Sequence, residues 1–403
     1  MADAAGPAPR SLAPVAAAIA WIDRAVGILP AERVPLDRAG DRVLAADCST
    51  LRAIPPHARA VCDGFAIRAG ASIGAGTYNP LDLKALPVAA GEPLPGGTDA
   101  VVPFDRAETA ASDIPAGDIS AGDTSAGKIS ASKISVVEPV AAGENVEPEG
   151  AVAAAGAVLA RAGTRLAARH IGLLAAAEIG DVAVVRRPRV ALLLAAPRHG
   201  AGAGNGDRSM VRAAVERDGG IVLAETVVPR MRAALAAALA QVEADIALVI
   251  GGTGAGPDDH AAAALAGAGA LALHGVALSP GETAGLGRTG SGMPVILLPG
   301  PPAACLWSYE LFAGRAIRRR GGRDPELPYR LCQKITTRKL VSAIGMTEIC
   351  PIRLGSTAQT VEPLPGFAET GLRAASEGDG FAIIAEASEG CPQGAALDVH
   401  LYD

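Results

Sequence analysis

The chain has 403 residues, half of them apolar but only 3% aromatic, with 49 Gly, 30 Pro and a formal net charge of −6. At this length about two to four domains are required, and their cores must be built from Ala, Val, Leu and Ile. The acidic balance excludes a generally basic nucleic-acid binder, and high apolar content with low net charge excludes wholesale disorder.

In chain order, residues 12–46 read as a helix, a loop and a return, with Val15, Ile19, Ile22 and Val26 on one helical face. The apolar run from Leu12 to Ile22 is expected to belong to that helix and not to a signal peptide. Asp3 precedes it, and Asp23 and Arg24 continue the helical pattern. Residues 54–70 are turn-rich and end in a strand-like FAI. From Pro87 to Val140 short alternating runs with Gly-Pro punctuation predict β structure. Inside that stretch a five-residue repeat (DIPAG, DISAG, DTSAG, KISAS, KIS) runs from Asp113 to Ser135. It reads as an expanded surface loop, with a short β-solenoid turn as the alternative.

From Arg189 the pattern changes. RVALLLAA is a buried strand, Met210 to Arg217 a helix, IVLAETVV a strand and Met231 to Val242 an Ala-rich helix. IALVIGG is a further strand, followed by a Gly loop and a helix near Asp259 to Leu265. LALHGVAL and PVILLPG follow as strands, and Ala303 to Arg318 as a helix. Apolar strands alternating with helices predict a parallel sheet covered on both faces, with ligands at the carboxyl ends of its strands. From Pro328 to Asp403 short β runs return.

The longest uncharged apolar run, Ala261 to Leu273, is shorter than the ~18 residues a membrane span needs. Cys48, Cys62, Cys305, Cys332, Cys350 and Cys391 show no CxxC, and the six His are dispersed. A disulfide framework and a zinc site are therefore not expected, and a reducing cytoplasm is.

The strongest local signal is VIGGTGAGPDDH, residues 249–260, where a buried strand ends in a Gly-rich loop before a helix. Glycines let the backbone approach a ligand, and amides at a helix start favour phosphate. Gly251, Gly252, Thr253 and Gly254 are thus candidate binding residues. Asp258 and Asp259 either cap the following helix or hold a divalent cation that bridges phosphates. LPGPPAAC (298–305) brings Pro299 and Gly300 to another strand end, where its prolines make a rigid wall. AAPRHG (195–200) carries Arg198 and His199, which either touch an anionic ligand or lie in a solvated loop. Asp63 in CDGFA (62–66) reads first as a tight-turn residue.

Together and in this order, these segments resemble the molybdopterin molybdenumtransferase family, the molybdenum insertases related to the gephyrin E domain. CDGFAIR is similar to an MDGYA-type motif, and AAGEPLPGGTDAVVP (89–103) to a TGxxLPxGADAVV segment. VIGGTGAGPDD is similar to SGGVSVGxxD, HGVALSPGETAGLG to HGVAxKPGKPxxFG, and LPGPPAA to LPGNPxSA. GENVEPEG and the stretch AGTRLAARHIGLLAAAEIGDVAVVRRPRVAL also follow the family pattern, so the resemblance covers nearly the whole chain.

The resemblance implies an α/β multidomain fold. An N-terminal region (1–188) carries an inserted β domain at about 70–142, with the low-complexity loop at 113–135. A central parallel-sheet molybdopterin-binding domain (189–325) and a small C-terminal β domain (326–403) follow. The implied activity is insertion of molybdate into adenylylated molybdopterin with release of AMP, assisted by Mg²⁺. Asp63 and Asp259 would be catalytic, and Asp259 with Asp258 would hold the metal. Gly251 to Gly254, Asp207 of GDRSM, Arg198, Pro299 and Gly300 would bind the pterin. The implied partners are the small-molecule pterin, a second copy of the chain in a homodimer and a molybdoenzyme client.

Several positions depart from the family pattern. The acidic TGDEL strand end is AAPRH here, with Pro197 and Arg198 at the two acids. The KPGKP lysines are Ser279 and Glu282, the LPGNP Asn is Pro301, and Glu147 stands where Arg is usual. Losing acids and lysines removes metal-holding and anion-holding charge. Three readings follow: a divergent active transferase, a cofactor-binding protein or chaperone on the same scaffold, and a different enzyme, such as a nucleotide or pterin hydrolase, reusing the cleft.

Overall fold

The computed structural model describes residues 11–109, 132–196 and 205–402. They form two compact units, one made of Arg33–Gly40 with Ala46–Val182 and the other of the remainder. Arg198, the rest of 197–204 and residues 113–131 of the pentad repeat lie outside the described residues.

The first unit is built on a five-stranded antiparallel sheet. Its order is Ala100–Pro103, Gly64–Ile67, Leu81–Val88, Ser132–Val136, Glu108–Thr109. Alternation places Phe65, Ile67, Leu83, Ala85, Val102, Ile134 and Val136 in one aliphatic core, closed by Phe104 edge-on to Phe65 at 4.8 Å. Ser132–Ser135, the end of the pentad repeat, is therefore strand and not loop. Ile134 is the residue that earns its burial, with Lys133 and Ser135 pointing the other way. Gly64 of CDGFA is also not a turn glycine. It opens a strand where a Cβ would fall 2.2 Å from the Val102 carbonyl oxygen. Glycine is required there by the close approach of the neighbouring strand.

The second unit contains a six-stranded sheet. Its order is Ile221–Pro229, Arg189–Ala196, Ile246–Ile250, Pro294–Leu298, Gly285–Thr289, Gly269–His274. The first four strands are parallel as expected. The last two are antiparallel additions, because a short turn without a helix joins Gly285–Thr289 to Pro294–Leu298. LALHGVAL divides accordingly: Gly269–His274 edges this sheet, and Leu278–Ser279 pairs with a strand of the C-terminal β domain.

Both faces of the parallel strands are covered, which explains their unbroken apolar runs. Val190, Leu192 and Leu194 face the core beneath helices Val15–Ala25, Asn205–Arg217 and Pro302–Ser308. Leu193 and Ala195 face the opposite core beneath Arg232–Gln241 and Ala261–Ala268. Ile246, Leu248 and Ile250 alternate with Ala247 and Val249 in the same way. The helix expected over Ala303 to Arg318 runs from Pro302 to Arg320 with a π turn at Tyr309–Ala313. Trp307 and Tyr309 are fully buried packing residues on it.

In the C-terminal β domain, Thr347–Leu354 pairs with both Thr360–Pro363 and Gly380–Ile384. Arg330–Thr336 and Ala396–Leu401 complete the closure around Ile352, Val361, Val399 and Leu401. Phe381 and Ile349 extend the α/β core into this domain. No helix among the described residues is long and apolar enough to cross a membrane.

Candidate functional site

All four parallel strands end at one open cleft of 670 Å³. Its walls are Leu194 and Ala195, then Arg230, then Ile250 with Gly251 to Gly254, then Gly300 to Pro302, with Asp207, Asp259 and Thr283 at the sides. This is the carboxyl-end position where parallel α/β sheets take ligands.

The glycine loop owes its path to backbone freedom that other residues lack. Gly251 and Gly252 have φ of 84° and 68°, in the left-handed region. The Gly251 amide donates to the Leu298 carbonyl and ties the loop to the neighbouring strand. The Gly252 carbonyl accepts from Ala261 at the helix start. Farther along, the Thr253 and Thr283 hydroxyls lie 2.9 Å apart, and His274 Nε2 donates to the Thr253 carbonyl at 2.9 Å.

Neither Asp258 nor Asp259 caps the helix, which begins at Ala261 with His260 at its N-cap. Asp259 instead closes its own loop: Oδ2 accepts from the Gly256 amide at 2.9 Å, and its amide donates to the Gly256 carbonyl. Added Cβ atoms on Gly254 and Gly256 would fall 2.6 and 3.0 Å from that carboxylate oxygen, so both glycines make room for it. Asp207 lies in the first turn of Asn205–Arg217 and is only 7% exposed. Its Oδ1 has no hydrogen-bond partner among the described residues, and burial pushes its carboxyl above the usual range.

The structure thus brings Asp207, Gly251, Gly252, Thr253, Gly254, Asp259 and Gly300 to one cleft. Pro299 is buried and Asp258 exposed, and neither lines it. Asp63 belongs to the other unit, where its Oδ1 accepts from the Ala90 amide at 2.7 Å. Beside it, burial and the Asp63 charge push the Cys62 thiol up. Cys305 is fully buried, and burial raises its thiol well above the ordinary value, which suits an inert packing residue.

Sequence reasoning missed Arg230 and Thr283. Arg230 belongs to no motif, yet it directly follows the strand Ile221–Pro229, and the carboxyl-end rule applied to that strand selects it. Its Nε donates to the Ala195 carbonyl at 2.8 Å, and Nη1 stands 4.0 Å from Asp259 Oδ1.

These groups do not fit a Mg²⁺ ion held by the protein. Among the described residues no three Asp, Glu, His or Cys side chains gather as metal ligands. A guanidinium faces the Asp259 carboxylate.

The family model described as the MoeA N-terminal region (domain I and II) matches residues 13–177. The model described as a probable molybdopterin binding domain matches residues 201–319. Molybdopterin molybdenumtransferase 2 of Mycobacterium tuberculosis is 28% identical over 88% of this chain and 90% of its own length. The molybdopterin molybdenumtransferase of Staphylococcus aureus MRSA252 is 24% identical over 98% and 96%. The solved molybdopterin biosynthesis MoeA protein of Pyrococcus horikoshii shares the fold with a TM-score of 0.75 at 24% identity, covering 98% of this chain and all of that one. A molybdenum cofactor biosynthesis protein of Pyrococcus furiosus aligns with a TM-score of 0.57 at 18% identity, over 97% of this chain. With two family models in order over more than half of its length and relatives matched end to end, the chain belongs to the molybdopterin molybdenumtransferase family.

Proposed function

We propose that the chain, a molybdenum cofactor biosynthesis protein by family, inserts molybdate into adenylylated molybdopterin and releases AMP. The observation that carries this reading is the cleft. It is open, glycine-floored, placed at four strand ends and large enough for a pterin with its phosphates. In this reading Gly251 to Gly254 let the backbone approach the phosphates, and the threonine pair offers hydroxyl donors beside them. Gly300 and the prolines form the opposite rigid wall. Asp259, held by the Gly256 amide, orients the oxygen nucleophile that displaces AMP. Asp63 is the second catalytic carboxylate, and the working form is a homodimer. No step is assigned to a protein-held cation.

A second reading, a carrier that holds molybdopterin or finished cofactor for a molybdoenzyme client, is favoured by one observation. The cleft's Asp259 is poorly placed for cation chemistry, with the Arg230 guanidinium against it. The two readings separate in one assay of AMP release by the purified chain, with adenylylated molybdopterin and molybdate supplied. Molybdate-dependent release that is lost in Asp63→Asn supports insertion. Tight pterin binding without release establishes the carrier and removes the transferase.

A further inference from the structure

We propose that Arg230 is an oxyanion-binding residue of the cleft, supplying through its guanidinium the positive charge that a divalent cation would otherwise bring to a phosphate or molybdate group. The proposal rests on the cleft's being a pterin-phosphate site and names the residue that would hold the anion.

Of the three guanidinium nitrogens, Nε alone is hydrogen-bonded among the described residues. Nε is fixed by the Ala195 carbonyl at 2.8 Å, which anchors the side chain at the strand end. Nη1 is 4.0 Å from Asp259 Oδ1, within Coulombic reach but too long for a hydrogen bond. Nη2 reaches the gap between the two loops that wall the cleft: Cβ atoms added to Gly251 and Gly300 would lie 3.0 and 3.8 Å from it. The two glycines therefore admit the end of a charged, three-quarters-buried arginine to the cleft wall.

One further observation points to an acceptor there. The amides of Gly252, Thr253 and Gly254 make no hydrogen bond among the described residues, so the loop beside Nη2 retains unspent donors. A tetrahedral oxyanion matches these donors, because a planar guanidinium gives two parallel N–H bonds to phosphate-like oxygens. Arginine and divalent cations are interchangeable devices for neutralising phosphoryl oxygens. A cleft that presents the arginine and has no metal-ligand cluster among the described residues uses the first device.

The test is calorimetric titration of the full chain with inorganic phosphate, AMP and molybdate in turn, each with and without Mg²⁺. Wild type, Arg230→Lys and Arg230→Gln are compared, with thermal melts to verify folding. The expected result is oxyanion binding that Mg²⁺ changes less than about twofold. Arg230→Gln weakens it by about tenfold or more, and Arg230→Lys by less, since charge is kept and the fork lost. Phosphate and AMP binding identifies the phosphate ester as the source, and molybdate binding identifies the metal oxyanion. Equal affinity in wild type and Arg230→Gln, an absolute Mg²⁺ requirement, or no oxyanion binding by folded wild type each overturns the proposal. Arg230-dependent phosphate binding without AMP release would sink the transferase reading and leave this one standing. AMP release and phosphate affinity both unchanged in Arg230→Gln would do the reverse.

Discussion

Around Glu310 every charge faces an opposite partner, whereas around Asp207 it does not. Glu310 and Asp218, 2% and 1% exposed, are clamped by Arg217, with Nη1 and Nη2 at 2.8 and 2.9 Å from Glu310 and Nη2 at 2.9 Å from Asp218. Arg318 adds a contact to Asp218 at 3.0 Å, and the Tyr309 and Tyr329 hydroxyls donate to Asp218 and Glu310. On the same helix Asn205–Arg217, at its other end, Asp207 is buried with a bare oxygen in the wall of the cleft. The first arrangement locks Asn205–Arg217 to Pro302–Arg320 and the C-terminal β domain. The second leaves polar capacity for a ligand. Satisfied buried charge is structure, and unsatisfied buried charge at a strand end marks where function is available.

The contrast breaks most visibly in the locked network. Glu310→Ala removes two of Arg217's charge-assisted hydrogen bonds and the acceptor of Tyr329, leaving Asp218 as Arg217's partner, and is expected to cost about 2–3 kcal/mol. Urea unfolding measures it, and a loss below about 1 kcal/mol would mean that the network is not structural.

A smaller effect comes from His400, which stacks on Phe381 at 5.0 Å with a buried, unpartnered Nδ1 but lies away from the cleft. Burial holds its pKa below 6.5, against the pull of Asp398. Between the folded value and 6.5 the unfolded chain binds more protons. Stability is therefore expected to fall as pH drops from 6.5 through the folded value. His400→Phe should flatten that slope in melts from pH 7.5 to 5, and an unchanged slope would assign it elsewhere.

The smallest expected change is at Asp207, where the sign reverses. Its folded pKa lies above 3.8, so the folded state binds more protons over the window from 3.8 upward. Stability falls as pH rises through that window and stays lower above it. Asp207→Asn is expected to raise the melting temperature at neutral pH while weakening ligand binding. A lower melting temperature would move Asp207 into the structural class with Glu310.

Much of this was legible in the chain itself. RVALLLAA, IALVIGG and PVILLPG could only be strands buried on both faces, because no helix of that length hides a full circumference of aliphatic residues between glycine and proline breaks. The glycines of 251–254 announced a close backbone approach, and Gly251 and Gly252 hold the positive φ that requires them. Gly64 misled, because Asp-Gly suggests a turn and a single sequence does not display the Val102 carbonyl that lies against it. The end of the pentad repeat misled likewise. Its Ile134 gains a core only once Leu81–Val88 pairs beside it.

The sequence by itself determined the periodicities, the order of strands and helices and the places where backbone must bend, since these depend on near neighbours and on side-chain size. Only the tertiary structure decided which charges meet. Arg230 lies 29 residues from Asp259 and 35 from Ala195 in the chain, and it joins both only because parallel strands end at one edge. Whether a charge is paired or left open depends on that three-dimensional adjacency. Coulombic and hydrogen-bonding energies depend on distance through space, of which spacing along the chain carries no record.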